Sequence, residues 1–361
     1  MHVGLDLLFL LPGVSGGRET YARELSAALR ERVDVTTFIN AETAAAGPGW
    51  WSEGRTLVLP RVRASSQAAW ALGEAIGVAR AAGDAGVDVL HSPANFAPAF
   101  GPFARVLTLH DLMYRRHPGF VGRAVRVGTD AVLIPGARRA HRLIAATAVA
   151  RAEVVEELAI DPERIAVIPH GAEPPPERVP RPVDTGGRRL VLAVGTNVPH
   201  KNHEALLRGL AARAEDRPLL AIAGHGTETL DPARFGVADD VRLYGTVDGE
   251  TLDDLYAAAS SYITATRHEG FGLPVIEALA RGLPVAASDI PVLREVAGDL
   301  AIYFEPDDPA AVAAALGPLP DPGAAGRAHA ARFTWAASAE ATVATYEEAL
   351  RARARTRRGG R

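Results

Sequence analysis

The chain contains no cysteine. Disulfides and thiolate metal sites are therefore excluded, and the composition fits the cytoplasm. No run of 18 uncharged apolar residues occurs, so no membrane-spanning helix is expected. The N-terminus lacks a basic segment and carries Asp6 inside its first apolar stretch. It reads as a first strand rather than a signal peptide. No Asp-x-Asp triplet occurs anywhere. Lysine is nearly missing: the 39 Lys and Arg residues include a single lysine, Lys201. A lysine that remains under so strong an arginine bias invites a reason specific to its position; chance survival is the alternative.

The 361 residues, 48% of them hydrophobic, suit two domains with sizeable cores and exclude a disordered chain. The net charge of −4 hides an asymmetry. Residues 115–142 carry seven arginines against one acid, Asp130, and residues 351–361 carry six arginines and no acid. Such patches suit anionic membrane surfaces or anionic substrates. A solvated face and a frayed tail are the plain alternative. No nucleic-acid partner is expected.

Short apolar runs that read as strands alternate with amphipathic segments throughout. Strands are expected over 3–10, 34–38, 56–59, 87–91, 105–109, 143–146 and 165–168, with helices over 19–30 and 67–82. A stretch with five prolines and two glycines, 173–187, then reads as a semi-rigid linker. A second series follows, with strands over 190–194, 219–223, 241–244, 261–265, 284–287 and 302–304. Its helices are expected over 202–212, 252–259 and 275–281, and a long last helix over 335–355. Alternation on both sides of a linker predicts an α/β chain of two doubly wound, Rossmann-like domains. The expected boundaries are 1–172, a linker over 173–188, 189–334, and a terminal helix and basic tail over 335–361.

Several loops after strands carry chemistry. Gly16 and Gly17 lie between a strand and a helix, where amide groups are available to an anion, although Ser15 could simply cap that helix. His91 and His110 end two strands of the first domain, at the edge where open α/β sheets bind ligands. A lone strand-end histidine is more often structural; Asp111 after His110 and a place facing the cleft bring the two readings level for that one, the catalytic candidate. Lys201 and Asn202 stand in Gly-Thr-Asn-Val-Pro-His-Lys-Asn, again between strand and helix. Gly224-His225-Gly226 and Gly245-Thr246 end two further strands. Residues 268–277 read His-Glu-Gly-Phe-Gly-Leu-Pro-Val-Ile-Glu. Glu269 lies in the loop and Glu277 about a turn into the next helix, so both carboxylates can face one cleft. Carboxylates accept from hydroxyls, which suits a polyhydroxylated ligand carrying phosphate. Spacing alone also fits a tight turn with two surface glutamates.

Glu269 and Glu277, with seven residues between them that begin Gly270-Phe271-Gly272-Leu273-Pro274, resemble the motif of retaining GT-B glycosyltransferases of the family-4 type. The likeness covers nearly the whole chain and is strongest over 190–305. It implies two facing Rossmann-like domains, with the last helix crossing back to brace the first. It implies that Glu269 contacts the transferred sugar, Glu277 the nucleotide ribose, and the amides of Gly270, Phe271, Gly272 and Leu273 the sugar and diphosphate. Gly16 and Gly17 would lie beneath the donor phosphate, and Gly245 and Thr246 along the nucleotide. Lys201, followed by Asn202, would neutralise the leaving diphosphate. The family commonly has Arg where His200 stands, so Arg18 or Arg267 is a candidate for the second positive charge. His110 resembles the histidine that lies beside the transferred sugar.

The implied reaction moves a hexose, with a leaning towards mannose from GDP-mannose, from a nucleotide sugar to a glycan or glycolipid acceptor. It needs neither metal nor cofactor. Residues 115–142 would offer a peripheral contact with an anionic membrane. Two other readings fit the architecture: a sugar-nucleotide 2-epimerase, and a catalytically silent nucleotide-binding regulator.

Overall fold

The computed structural model describes residues 1–359. Gly360 and Arg361, the end of the arginine-rich tail, lie outside the described residues. The chain forms two compact units. One comprises Met1–Gly171 together with the C-terminal helix Trp335–Gly359. The other comprises Ala172–Thr334.

The first unit is built on seven strands: β1 His2–Leu7, β2 Asp34–Asn40, β3 Arg55–Leu59, β4 Val89–Ser92, β5 Ala104–Thr108, β6 Arg142–Ala145 and β7 Ile165–Val167. They pair in parallel in the order β3-β2-β1-β4-β5-β6-β7. Nearly every residue of β1 and β4 is buried, as expected of strands covered by helices on both faces. The C-terminal helix packs Tyr346 and Ala349 against Val3, Val89 and Ile144, which places it in this unit's core.

The second unit has six parallel strands: β8 Leu190–Val194, β9 Leu219–Ala223, β10 Val241–Gly245, β11 Ser261–Thr264, β12 Val285–Ser288 and β13 Ala301–Phe304. Their order is β10-β9-β8-β11-β12-β13. The core lies between β8, β9 and the helix His203–Ala212, with Leu206, Leu207, Leu210, Ile222 and Ile263 fully buried. The proline-rich stretch 173–187 has no helix or strand. It is tied to this unit by Arg178 and Arg181, both paired with Asp254.

Both sheets reverse their strand order at one point, between β1 and β4 and between β8 and β11. A crevice opens at the carboxyl end of such a reversal, which makes it the expected ligand site of each unit.

One helix departs from expectation. The segment expected as 67–82 runs as Gln67–Leu72, a π-helical turn Gly73–Gly77, and Val78–Asp84. Gly73 is packed so tightly on Val62 that a Cβ would come within 2.6 Å of it. Glu74, carried on the same turn, is buried and hydrogen-bonded to Asp6 at the end of β1. A π turn inserts a residue where a side chain must be re-aimed inward.

Candidate active site

In the second unit, the reversal point gathers loops from both sides. The loop after β8 ends in the short 3-10 turn Pro199–Lys201, and Asn202 follows in a left-handed conformation, φ 56°. Asparagine tolerates that geometry better than most residues. Its buried side chain faces Pro306 and Asp307, at 3.4 Å each, so it braces the loop. His203 does the same from below, its Nε2 3.1 Å from the Gly195 carbonyl.

The loop after β11 brings Glu269 to Lys201. The Lys201 Nζ donates to Glu269 Oε1 in an ion pair whose side chains are only 20% and 14% exposed. The two residues are 68 apart in sequence and meet because β8 and β11 are neighbours. Mostly withdrawn from water, the pair holds a cation and a carboxylate ready at one point. The His200 carbonyl accepts from the Arg267 N–H at 2.7 Å and locks the two loops together.

Gly272 turns the chain into the helix Leu273–Ala280 at φ 95°, where a Cβ would come 2.7 Å from Leu293. Only glycine fits that approach. Pro274 in the helix's first turn has no N–H to leave unsatisfied. The Phe271 side chain is buried edge-on against Phe333, so what this loop offers a ligand is backbone. Glu277 follows within the helix. Tyr256 donates to its Oε2 at 2.9 Å. Burial raises the Glu277 pKa, while the Tyr256 hydrogen bond and Arg281 act to lower it.

Gly245 ends β10 at φ 62°. Its N–H donates to Thr227 Oγ1 at 3.1 Å, and Thr246 Oγ1 lies 3.4 Å from His225 Nδ1. Arg267 is committed to Asp307, its Nε 3.0 and 3.2 Å from the two carboxylate oxygens. It is therefore not a spare cation beside Lys201.

In the first unit, Gly16 at φ 59° precedes the helix Gly17–Arg30. Ser15 does not cap this helix. Its Oγ accepts from the Leu11 N–H at 2.9 Å and folds the loop back on itself. Arg18 on the first turn lies over the Phe9 ring at 5.9 Å and forms no ion pair among the described residues. Tyr21, one turn on, meets His110 edge-to-face at 4.9 Å.

His110 stands just beyond β5 and is buried. Its backbone N–H donates to Asn95 Oδ1 at 2.7 Å. Its ring Nε2 is 2.7 Å from the Pro93 carbonyl. A carbonyl only accepts, so Nε2 carries the proton and Nδ1 is an acceptor. Burial lowers the His110 pKa to about 4, with Arg18 adding to the fall and Pro93 and Asp111 opposing it. The ring is neutral at pH 7, with Nδ1 as its acceptor. His91 has a structural place: its two ring nitrogens meet Tyr346 and Thr108, each at 2.8 Å. His170 stacks on Tyr21 at 4.5 Å.

The expected catalytic and donor-binding residues thus fall into two groups. Lys201, Asn202, Gly245, Thr246, Glu269, Gly270, Phe271, Gly272, Leu273 and Glu277 belong to the second unit. Gly16, Gly17 and His110 belong to the first.

Comparison with known proteins decides the family. Residues 15–174 match Glycosyltransferase Family 4, and residues 188–319 match Glycosyl transferases group 1. The chain belongs to the family-4 glycosyltransferases. A D-inositol 3-phosphate glycosyltransferase of Streptomyces scabiei is 34% identical over 245 residues, 59% of this chain and 55% of that protein. An MMP alpha-(1->4)-mannosyltransferase of Mycolicibacterium hassiacum is 29% identical over 255 residues, 66% of this chain and 59% of that one. The chain spans little more than half the length of these curated relatives. Among solved structures, a sucrose-phosphate synthase from Thermosynechococcus elongatus superimposes with a TM-score of 0.77 at 19% identity, covering 98% of this chain and all of that one. This likeness shows the GT-B fold of the family.

Three residues that hold the candidate site residues in place were not legible in the sequence. Tyr256 sits inside an expected helix and reads there as an apolar-face residue. Asp307 lies 40 residues from Arg267, with nothing in either segment to pair them. Asn95, at φ 67°, fixes the His110 backbone from a loop without a strong motif.

Proposed function

We propose that the chain is a retaining glycosyltransferase that moves a hexose from a nucleoside diphosphate sugar to an acceptor hydroxyl. The observation that carries this reading is the Lys201–Glu269 pair at the β8/β11 reversal. A cation there suits a diphosphate, and a carboxylate beside it suits the hydroxyls of the attached sugar. Glu277 supplies a second carboxylate for the ribose.

In this reading the acceptor oxygen bonds to the anomeric carbon as the bond to the diphosphate oxygen breaks. The acceptor proton passes to the departing diphosphate on the same face. The protein supplies position and charge rather than a nucleophile. Lys201 stabilises the negative charge that grows on the leaving group. Glu269 orients the sugar and favours positive charge at the anomeric carbon. His110, neutral and with Nδ1 open as an acceptor, orients a hydroxyl. Transfer is proposed to need no metal, so chelator should leave it unchanged.

Mannose from GDP-mannose is the proposed donor, supported by the mannosyltransferases among the relatives. The proposed acceptor is a glycan or glycolipid in polysaccharide or glycolipid synthesis. The inositol phosphate in the name of the Streptomyces relative makes a phosphorylated cyclitol the second acceptor to test. Incubating the chain with GDP-mannose, UDP-glucose or ADP-glucose and these acceptors separates the readings. Transfer supports the proposal; an isomerised donor supports the 2-epimerase; binding without turnover supports a silent regulator.

Peripheral membrane contact is a narrower proposal than the arginine count implies. Arg115 pairs with Asp130 and Glu157, Arg116 with Glu156 and Glu157, and Arg142 with Glu348. Leu133 is fully buried, and Val121 and Ile134 pack against the core. What remains for a membrane is the helix Arg123–Arg139, where Val125 and Val127 are exposed beside Arg123 and Arg126 at its start and Arg138 and Arg139 are exposed at its end. No helix among the described residues is long and apolar enough to cross a membrane.

A further inference from the structure

Glu277 is held asymmetrically. Tyr256 donates to Oε2 at 2.9 Å, while Oε1 has no protein donor among the described residues. The Tyr256 hydroxyl also lies 3.4 Å from the Pro274 carbonyl. A phenol has one proton to give, and the shorter, charge-assisted contact takes it. The carbonyl alone could have satisfied a buried tyrosine, so its commitment to the carboxylate has a consequence for Glu277.

The tyrosine is itself fixed. It is 1% exposed, in the helix Gly249–Ala258, and its ring packs near Tyr262 at 6.4 Å between centroids. The Arg281 guanidinium lies 4.6 Å from the ring centroid on its face. Arg281 is anchored in turn, by an ion pair to Asp253 on the tyrosine's own helix and by Nη1 donating to the Glu277 carbonyl at 3.2 Å. Asp253, Arg281, Tyr256 and Glu277 form a closed brace that joins two helices, Gly249–Ala258 and Leu273–Ala280.

We propose that Tyr256 is a positioning residue for nucleotide recognition: it holds Oε2 of Glu277 so that Oε1 faces a ligand hydroxyl ready to accept. The inference rests on the reading of Glu277 as the ribose-binding carboxylate. A glutamate has a long side chain, and ordering it on binding would weaken affinity about tenfold. With one oxygen already fixed, that ordering is complete before the nucleotide arrives. Arg281 and Asp253 hold the tyrosine and touch no ligand.

The test uses GDP and UDP beside their 2′-deoxy and 3′-deoxy forms, with affinities measured by calorimetry. Wild type should prefer one ribonucleotide hydroxyl clearly. Glu277→Gln should collapse that preference. Tyr256→Phe should reduce it several-fold by weakening the ribonucleotide and leave the deoxynucleotide nearly unchanged. A merely structural role would weaken both forms alike and keep their ratio; that result overturns the proposal, as does an unaltered ratio with unaltered affinities. If Glu277→Gln keeps the preference, the ribose reading fails, and the inference with it. If Glu277→Gln collapses the preference and Tyr256→Phe does not narrow it, the inference alone fails. Should Tyr256→Phe fold poorly, Arg281→Gln serves instead: it frees the ring's tilt and is expected to give a smaller narrowing of the same ratio, whereas an intact ratio overturns the proposal.

Discussion

Replacing Glu269 with Gln removes the carboxylate that neutralises Lys201 while keeping its size. Two effects should separate. The proposed sugar contact loses its charge, so transfer should fall by about 10²-fold, the scale seen when one preorganised stabilising group is lost. Binding of a free nucleoside diphosphate, which has no sugar, should instead tighten. In the resting protein the Lys201 ammonium is engaged by Glu269, and both side chains are mostly buried. A diphosphate arriving at Lys201 meets a carboxylate of like charge about 5 Å away, a repulsion of about 3 kcal/mol at an effective dielectric constant of about 20. Allowing half of this for salt and for movement of the glutamate leaves about 1.5 kcal/mol, or roughly tenfold in affinity. Calorimetry with GDP and UDP on wild type and Glu269→Gln reads this directly. The gain should shrink as salt rises. Binding that weakens, or stays the same at low salt, would refute the competition between Glu269 and diphosphate for Lys201.

Other outcomes follow from the same geometry. Lys201→Ala should lower transfer by about 10² or more at limiting donor, and unchanged turnover would remove Lys201 from the site. Burial pushes the His91 pKa to about 3 and that of His110 to about 4, against an ordinary value of 6.5. A histidine pKa lowered by folding stabilises fully above 6.5 and loses that contribution as pH falls towards 4, because the unfolded chain then binds the extra protons. The melting temperature should therefore hold between pH 7 and 8 and fall below 6.5, with each histidine contributing up to about 1.4 kcal/mol per pH unit; a flat profile down to pH 5 would contradict the burial of neutral rings. Co-sedimentation with anionic vesicles at low salt should be weakened by replacing Arg123 and Arg126 with Glu, and wild type that stays in the supernatant would end the membrane reading.

The fold was largely legible in the sequence because its signals are local. Each strand from β1 to β13 overlaps a segment expected as a strand, and the glycine and proline breaks between them mark the turns. Errors came where local pattern and packing disagree. The helix over 67–82 has helical spacing throughout, yet Gly73 against Val62 and the inward Glu74 impose a π turn. The helices Ala148–Leu158, Pro309–Ala315 and Gly323–Ala330 went unread, since alanine-rich segments show little contrast between faces. The site divides in the same way. Lys201, Glu269 and Glu277 carry motif context, but the ion pair between the first two depends on β8 and β11 being neighbours, which is a property of strand order. The arginines over 115–142 read as a bare basic patch because their partners Glu156, Glu157 and Glu348 come from other helices. Charge counted along a segment says nothing about what folds against it.

The central claim is tested most directly by following the reaction by proton NMR with an α-linked nucleotide sugar, starting from GDP-mannose, and an acceptor glycan. The account predicts an acceptor-dependent release of nucleoside diphosphate and a first-formed glycoside whose anomeric proton shows the donor's own configuration. A product of inverted configuration, or donor consumed without any new glycosidic bond, would contradict it.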